Sequence, residues 1–230
     1  MKLLLDTVRI AYGDWSLSAS GALEPGIHLV SGDVGSGKST LSLMMAGLVS
    51  PLSGSVTTEG VTSRMVSFQF PEYQVSRLTV EEEYASWGAD PVPLLESDHL
   101  EEKKGLHPLH LSRGELKRLH LSCVFSGNYD LLILDEPFSS LDCAEKERVC
   151  ETISGRNWGI TVIFTHEQTT FPKVDRLWEI REGQLVDLGK VPDALSRWHN
   201  APPVIKDLIS AQKIPWNISP SDLLEAACWT

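Results

Sequence analysis

Apolar positions along this chain change period several times, and each change predicts an element. LLIL at 131–134 is an uninterrupted apolar run, the mark of a strand buried on both faces of a parallel sheet. TVIFTHE at 161–167 reads as a second such strand, with a helix expected around 142–154 between them. That alternation of strand and helix predicts an α/β core. KSTLSLMMAGL at 38–48 has helical spacing and stops near Gly47 and Pro51. Residues 1–31 alternate and turn through LLLDTVRIAY, WSLSASGAL and GIHLVSG, a pattern of short antiparallel strands. SGSVTTEG and RMVSFQF predict two more strands. Residues 71–108 carry EEE and EE clusters with Pro91, Pro93 and Pro108. They read as a small, partly helical subdomain, with a disordered insertion as the alternative. After Gly189 the character changes again, and a tail begins near Ala201-Pro202-Pro203.

One segment breaks its own pattern. In LHLSRGELKRLHLS at 109–122, polar Ser112-Arg113-Gly114-Glu115 interrupts apolar positions that resume with helical spacing at Leu116, Leu119, His120 and Cys123. Glycine at the mouth of a helix costs backbone entropy. Some group that approaches the backbone closely is therefore expected there.

Composition narrows the class. The 230 residues are 42% hydrophobic, enough for one domain, or one domain with a subdomain. A formal net charge of −11 argues against non-specific binding to nucleic acid or to an anionic membrane surface. No run of about 20 uncharged apolar residues exists to span a bilayer. The opening MKLLLDTVRI meets Asp6 and Arg9 too early for a signal peptide's apolar core. Cys123, Cys143, Cys150 and Cys228 show no CxxC spacing, which reads as reduced thiols in a cytoplasmic protein.

The chemistry lies in SGDVGSGKST. Gly32-x-x-x-x-Gly37-Lys38-Ser39 is the P-loop pattern, placed between the strand IHLV and a helix, as its mechanism requires. Gly32, Gly35, Ser36 and Gly37 let backbone N–H groups face a phosphate. Lys38 adds a cation, Ser39 can ligate magnesium, and the helix dipole favours the anion, with Thr40 next in the turn. A second carboxylate centre is then needed. LLILDEP supplies Asp135 at a strand end for magnesium and Glu136 to polarise an attacking water; the bland alternative is a pair that caps the next element. His166 ends VIFTH, and a strand parallel to the Asp135 strand would bring it to the same sheet edge.

Together these residues resemble the ATPase subunits of ABC transporters. The order is P-loop at 32–39, Gln69 after a strand, LSRGE at 111–115, LLILDEP at 131–137, SSLD at 139–142 and His166, and the resemblance covers nearly the whole chain. It implies a P-loop NTPase with a RecA-like α/β core, an N-terminal antiparallel β subdomain and a short helical signature subdomain. It also implies ATP and Mg2+ as ligands, with a second ATPase subunit as partner. LSRGE would be the signature motif, usually LSGGQ, with Ser112 and the Gly114 N–H facing the γ-phosphate of an ATP held by the partner. Tyr12 would stack on adenine, Gln69 would couple magnesium and water to the transporter, and Asp142 would lie at the dimer interface. Arg113 and Glu115 depart from the usual motif.

FQFPEYQ at 68–74 and the tail APPVIKDLISAQKIPWNISPSDLLEAACW also look like the energy-coupling factor (ECF) group, which includes cobalt and nickel import ATPases. That likeness implies transmembrane ECF-type subunits, import of a vitamin or transition-metal ion, and a peripheral position on the cytoplasmic face of the membrane. Only 42 residues separate Gln69 from Ser112, so the helical subdomain, about 71–125 within a 1–190 ATPase domain, is shorter than usual. The 191–230 tail has apolar stripes at Val204, Ile205, Leu208 and Ile209, then at Leu223, Leu224 and Ala227, with Trp216 and Trp229 beside them. Ser219 can cap the second helix and Pro220 suits its first turn. The stripes fit either the chain's own core or a tail-to-tail contact with the partner. An alternative function is an ATP-binding assembly subunit of a heterodimer with low turnover of its own. A DNA-maintenance ATPase would need a coiled coil before the signature and a translation ATPase usually two heads; neither is present.

Overall fold

A computed structural model describes residues 1–228; Trp229, one of the tail's aromatic positions, lies outside them. The first hairpin pairs β1 (Lys2–Tyr12) with β2 (Trp15–Leu23) antiparallel. Gly13 occupies its two-residue turn at φ 58°, a value glycine adopts without strain. Then follow β3 (Gly26–Gly32), α1 (Lys38–Met45), β4 (Ser53–Glu59) and β5 (Arg64–Ser67). The region expected as a subdomain is ordered as α2 (Val80–Ser86), α3 (Pro91–Ser97) and three 3-10 turns. Next come α4 (Arg113–Ser126), β6 (Leu131–Asp135), α5 (Cys143–Ser154) and β7 (Ile160–Phe164). The chain closes with β8 (Arg176–Arg181), β9 (Gln184–Lys190), α6 (Pro203–Ser210) and α7 (Pro220–Cys228).

The nine strands of the described residues form one sheet in the order β4-β1-β2-β9-β8-β3-β7-β6-β5. Its centre is parallel: β3 pairs with β7 and β8, and β6 with β7 and β5. Every residue of β6 and β7 is buried, as their uninterrupted apolar runs require. The turns of residues 1–31 predict GIHLVSG as an antiparallel strand, yet β3 runs parallel in the middle of the sheet. Its residues after Gly26 are buried without alternation, the pattern of a strand covered on both faces.

Two further differences come from local chemistry. The signature helix begins at Arg113, not Leu116, because Ser112 caps it: Glu115 N–H donates to Ser112 Oγ at 3.4 Å, and Ser112 N–H donates to the Glu115 carboxylate at 3.0 Å. This reciprocal box satisfies two otherwise orphaned donors and draws polar residues into the first turn. The β8–β9 hairpin was not anticipated. Its turn residues Glu182 and Gly183 both have positive φ, 49° and 71°, the type I′ geometry that suits a two-residue hairpin.

The tail is not a separate layer. Ala194, Leu195, Trp198, Ala201, Ile205, Leu208, Ile218, Leu223 and Ala226 belong to the same buried cluster as Leu29, Leu132 and Ile163 of the central strands. The stripe is shifted from the sequence reading: Ala226 faces inward rather than Ala227, while Val204, Ile214, Trp216 and Leu224 stay exposed.

Candidate functional site

Parallel strands expose their C-terminal ends along one edge, and three of them converge here. β3 ends in Gly32, β6 in Asp135, and His166 follows β7 by two residues. Sequence-distant residues are thereby gathered where ligands bind in such sheets. A cleft of about 380 Å³ lies at this edge, lined by Tyr12, Trp15, Gly35, Gly37, Lys38, Ser39, Thr40, Gln69, Glu136 and His166, among others. A second cleft of about 330 Å³ flanks the P-loop between Asp33, the His166 segment and the tail near Trp198 and Lys206.

The loop itself needs its glycines. Gly35 and Gly37 have φ of 81° and 102°, and a Cβ on Gly37 would come within 2.3 Å of the Trp15 ring. A Cβ on Gly32 would sit 2.8 Å from Ser36 Oγ. Lys38 is buried, with Nζ donating to the carbonyls of Gly32 at 2.8 Å and Asp33 at 3.0 Å. Burial lowers its pKa, while Glu136, Asp135 and Asp33 pull it back up.

Asp135 is buried, and burial raises its pKa against the opposing pull of the Ser39 hydroxyl. Its Oδ2 accepts from Ser42 Oγ at 3.4 Å. Its Oδ1 is buried with no hydrogen-bond partner among the described residues. An orphaned carboxylate oxygen is costly unless something positive or a donor meets it, so the pair Ser39 and Asp135 fits a divalent cation or its water. Ser36 Oγ is similarly unpartnered.

Glu136 is held from three sides. Thr165 Oγ1 donates to Oε2 at 3.0 Å, His166 N–H donates to Oε2 at 3.4 Å, and His166 Nδ1 lies 2.6 Å from Oε1. Its backbone has φ 48°, a conformation that costs a non-glycine residue energy and recurs at functional sites. The Asp-Glu pair is therefore more than a cap. The carboxylate is fixed at the cleft, and the His166 ring remains half exposed toward it.

Ser112, Gly114 and Asp142 do not reach this cleft within the chain. Ser112 and Asp142 are N-caps of α4 and α5, and Asp142 Oδ1 accepts from Glu145 N–H at 2.9 Å. Gly114 has an intramolecular reason to lack a side chain: a Cβ would lie 2.9 Å from the Ser140 carbonyl oxygen. Part of what approaches the helix mouth is thus the chain's own SSLD segment. Arg113 is exposed, and its side chain has no hydrogen bond or ion pair among the described residues. Glu115 is paired with Lys103 Nζ at 2.6 Å, and that bond holds its pKa down to about 2.

Two contributors escaped the sequence reading. Trp15 stacks nearly parallel to Tyr12, with ring centroids 6.2 Å apart, and forms the wall against Gly37. Its position directly across the hairpin from Tyr12 was a usable signal. Thr165 gave none, because threonine after a strand is ordinary.

The family model described as ABC transporter matches residues 19–139. The chain is 31% identical over 228 residues to the energy-coupling factor transporter ATP-binding protein EcfA2 of Thermotoga maritima, covering 87% of this chain and 86% of the relative. It is 32% identical over 195 residues to the thiamine import ATP-binding protein ThiQ of Mesorhizobium japonicum, covering 75% and 77%. A putative ABC transporter ATP-binding protein of Methanosarcina mazei is 32% identical over 181 residues, 68% of this chain but 36% of that protein. Among solved structures, the fold matches the ATP-bound structure of a bacterial Atm1-family ABC exporter with a TM-score of 0.74 at 19% identity, covering 92% of this chain and 42% of that one. It also matches the dimeric post-hydrolysis cassette MJ0796 bound to ADP and Pi, with a TM-score of 0.62 at 19% identity, covering 80% and 98%. With a P-loop, a braced carboxylate and a histidine at one sheet edge, and with these similarities over most of its length, the chain belongs to the ABC transporter family as an ATP-binding, ATP-hydrolysing subunit.

Proposed function

We propose that this chain powers uptake of a small nutrient, a vitamin or a transition-metal ion, as one ATPase of a pair bound to ECF-type transmembrane subunits on the cytoplasmic face of a membrane. The observation that carries the reading is the convergence of Lys38, Gln69, Glu136 and His166 on one cleft with Tyr12 and Trp15 at its side. Tyr12 stacks on adenine. Gly32 to Thr40 wrap the phosphates, and Lys38 turns from its own loop carbonyls toward them. Ser39, Asp135 and Gln69 are the residues that would hold Mg2+, which supplies positive charge to the phosphate oxygens when bound. Glu136 orients and polarises the attacking water, and His166 fixes the Glu136 carboxylate while its exposed ring faces the phosphate.

Ser112, Gly114 and Asp142 act on the partner's nucleotide. Their absence from this chain's own cleft agrees with a site completed by two subunits. Phe70, Tyr73 and Leu78 stand exposed in the segment that follows Gln69, apolar groups suited to a segment of the membrane subunits. Val204, Ile214, Trp216 and Leu224 offer a second exposed apolar set on the tail, available to the other ATPase.

Affinity purification from native membranes tests the assembly. Transmembrane subunits should co-purify, and Mg2+-dependent ATP hydrolysis should rise in their presence. Recovery of the chain without any membrane subunit would overturn the transport reading, and ATP binding without turnover in the full assembly would leave it as an assembly subunit.

A further inference from the structure

Lys117 is a buried cation that the site described above does not use. Its residue exposure is 1%, and among the described residues its ammonium meets only the carbonyls of Phe68 and Gln69, each at 3.5 Å. Burying an ammonium with two long contacts is expensive, and an apolar side chain of the same length would pack there at less cost. Packing alone does not account for a lysine at this position.

What surrounds it suggests a task. The backbone around Gln69 is held from two directions. From the 3-10 turn that follows, Gln74 Nε2 donates to the Val66 carbonyl at 2.9 Å and Gln74 Oε1 accepts from Phe68 N–H at 2.8 Å. From α4, Lys117 meets the carbonyls of Phe68 and Gln69, and one turn on His120 Nε2 lies 3.0 Å from Ser67 Oγ. The helix whose first turn carries Ser112 and Gly114 is therefore tied, peptide by peptide, to the loop that carries Gln69. Asp135, Glu136 and Glu72 are the acidic groups whose field acts on this ammonium.

We infer that Lys117 is a positioning residue for ATP hydrolysis: it clamps the Phe68–Gln69 backbone to the signature helix, so that the Gln69 side chain and the first turn of α4 move as one unit. The inference deepens the reading of Gln69 given above and rests on it. The lysine stem supplies reach and the ammonium supplies donors to two consecutive carbonyls, which a neutral side chain of that length cannot do.

The test uses Lys117→Met, Gln69→Ala and the double variant in the full chain. Removing the poorly paired charge should leave the melting temperature of the protein without nucleotide unchanged or slightly higher. In the same nucleotide-free protein, amide exchange over residues 66–74 should rise by about tenfold or more, while exchange in β6 and β7 stays put. Steady-state hydrolysis should lose about tenfold in kcat with KM for ATP changed less than about threefold. The double variant should be no slower than Gln69→Ala alone, because both changes remove the same device.

Unchanged exchange over residues 66–74 would overturn the clamp outright. A fall in melting temperature or a failure to fold would overturn it too, by making Lys117 a packing residue. Losses that add in the double variant would mean that Lys117 acts on Asp135 and Glu136 without passing through Gln69. Normal turnover in Gln69→Ala would instead remove the assigned role of Gln69, and the exchange measurement would still decide whether Lys117 holds the loop.

Discussion

Trp198 Nε1 donates a 2.7 Å hydrogen bond to Ser31 Oγ, in the strand residue directly ahead of the P-loop. Ser31 passes the connection on by donating to the Trp178 carbonyl at 3.3 Å, and Phe171 packs edge-on against the Trp198 ring with centroids 6.0 Å apart. The tail is thereby keyed to the base of the phosphate loop from inside the core.

Truncation after Val191 should consequently unfold the protein rather than release a folded cassette, since it strips the tail's buried residues from the central cluster. Trp198→Phe, which keeps an aromatic ring but drops the donor and part of the buried indole, should cost about 2 kcal/mol or more, read as a shift in the urea midpoint. A truncated chain that melts cooperatively at the parent temperature would contradict this. Any test of tail-mediated dimerisation is better made with Trp216→Ser and Leu224→Ser, both exposed. Loss of dimer mass in light scattering without loss of stability would identify the contact.

Glu136→Gln preserves the size of the side chain and its Thr165 contact while removing the charge beside His166. ATP binding should persist, and hydrolysis should fall by about 10²-fold or more, the range for loss of general-base help. Equilibrium ATP binding together with single-turnover hydrolysis measures both, and turnover within about threefold of the parent would refute the assignment.

Arg113 faces solvent with no acidic partner among the described residues. Arg113→Gly should change the ATPase rate less than about threefold, under about 0.7 kcal/mol, at any protein concentration. A tenfold loss that deepens on dilution would place the guanidinium in a composite site between subunits. Gly114→Ala should be worse on both counts, because the added methyl meets the Ser140 carbonyl before any nucleotide is considered. Its melting temperature should drop even without ATP.

His120 carries an acid-sensitivity that can be read directly. Burial of the ring, and secondly the nearby Lys117 ammonium, push its pKa down to about 3 from the ordinary 6.5. The unfolded chain therefore binds a proton below about pH 6.5 that the folded chain refuses until about pH 3. Stability is fully present above pH 6.5 and drains as pH falls through that window, by on the order of 1 kcal/mol per pH unit from this group. His120→Gln, which retains a hydrogen-bonding group toward Ser67, should be less stable at pH 7 but flatter between pH 6.5 and 4. Denaturant titrations at several pH values check the slope.

Several elements were legible because one local signal decided them. The runs in β6 and β7 could only be strands buried on both faces, and Gly32 to Ser39 could only be a loop opening onto a helix. The ordered motifs then named Tyr12, Gln69, Glu136 and His166, and the fold brings all four to one cleft. What sequence could not supply was partnership across the sheet. Parallel pairing depends on which strands meet, so the pattern of GIHLVSG does not disclose that β3 runs parallel and is buried on both faces. Ser112 pulls the start of α4 forward through a Ser-x-x-Glu box, a signal present in the sequence itself but hidden in the polar break of its apolar pattern. The tail's amphipathic stripes specified burial but not the surface that buries them; packing against Leu29 and Leu132 settled that. Gly114 had two claimants, a phosphate and the Ser140 carbonyl, and only tertiary contact revealed the second. Lys117 is an ordinary helical lysine in one dimension, and it became a buried clamp solely because β5 and α4 pack together. Residue type and spacing determine what chemistry is possible at each position, whereas the neighbours that decide which possibility is used come from segments far along the chain.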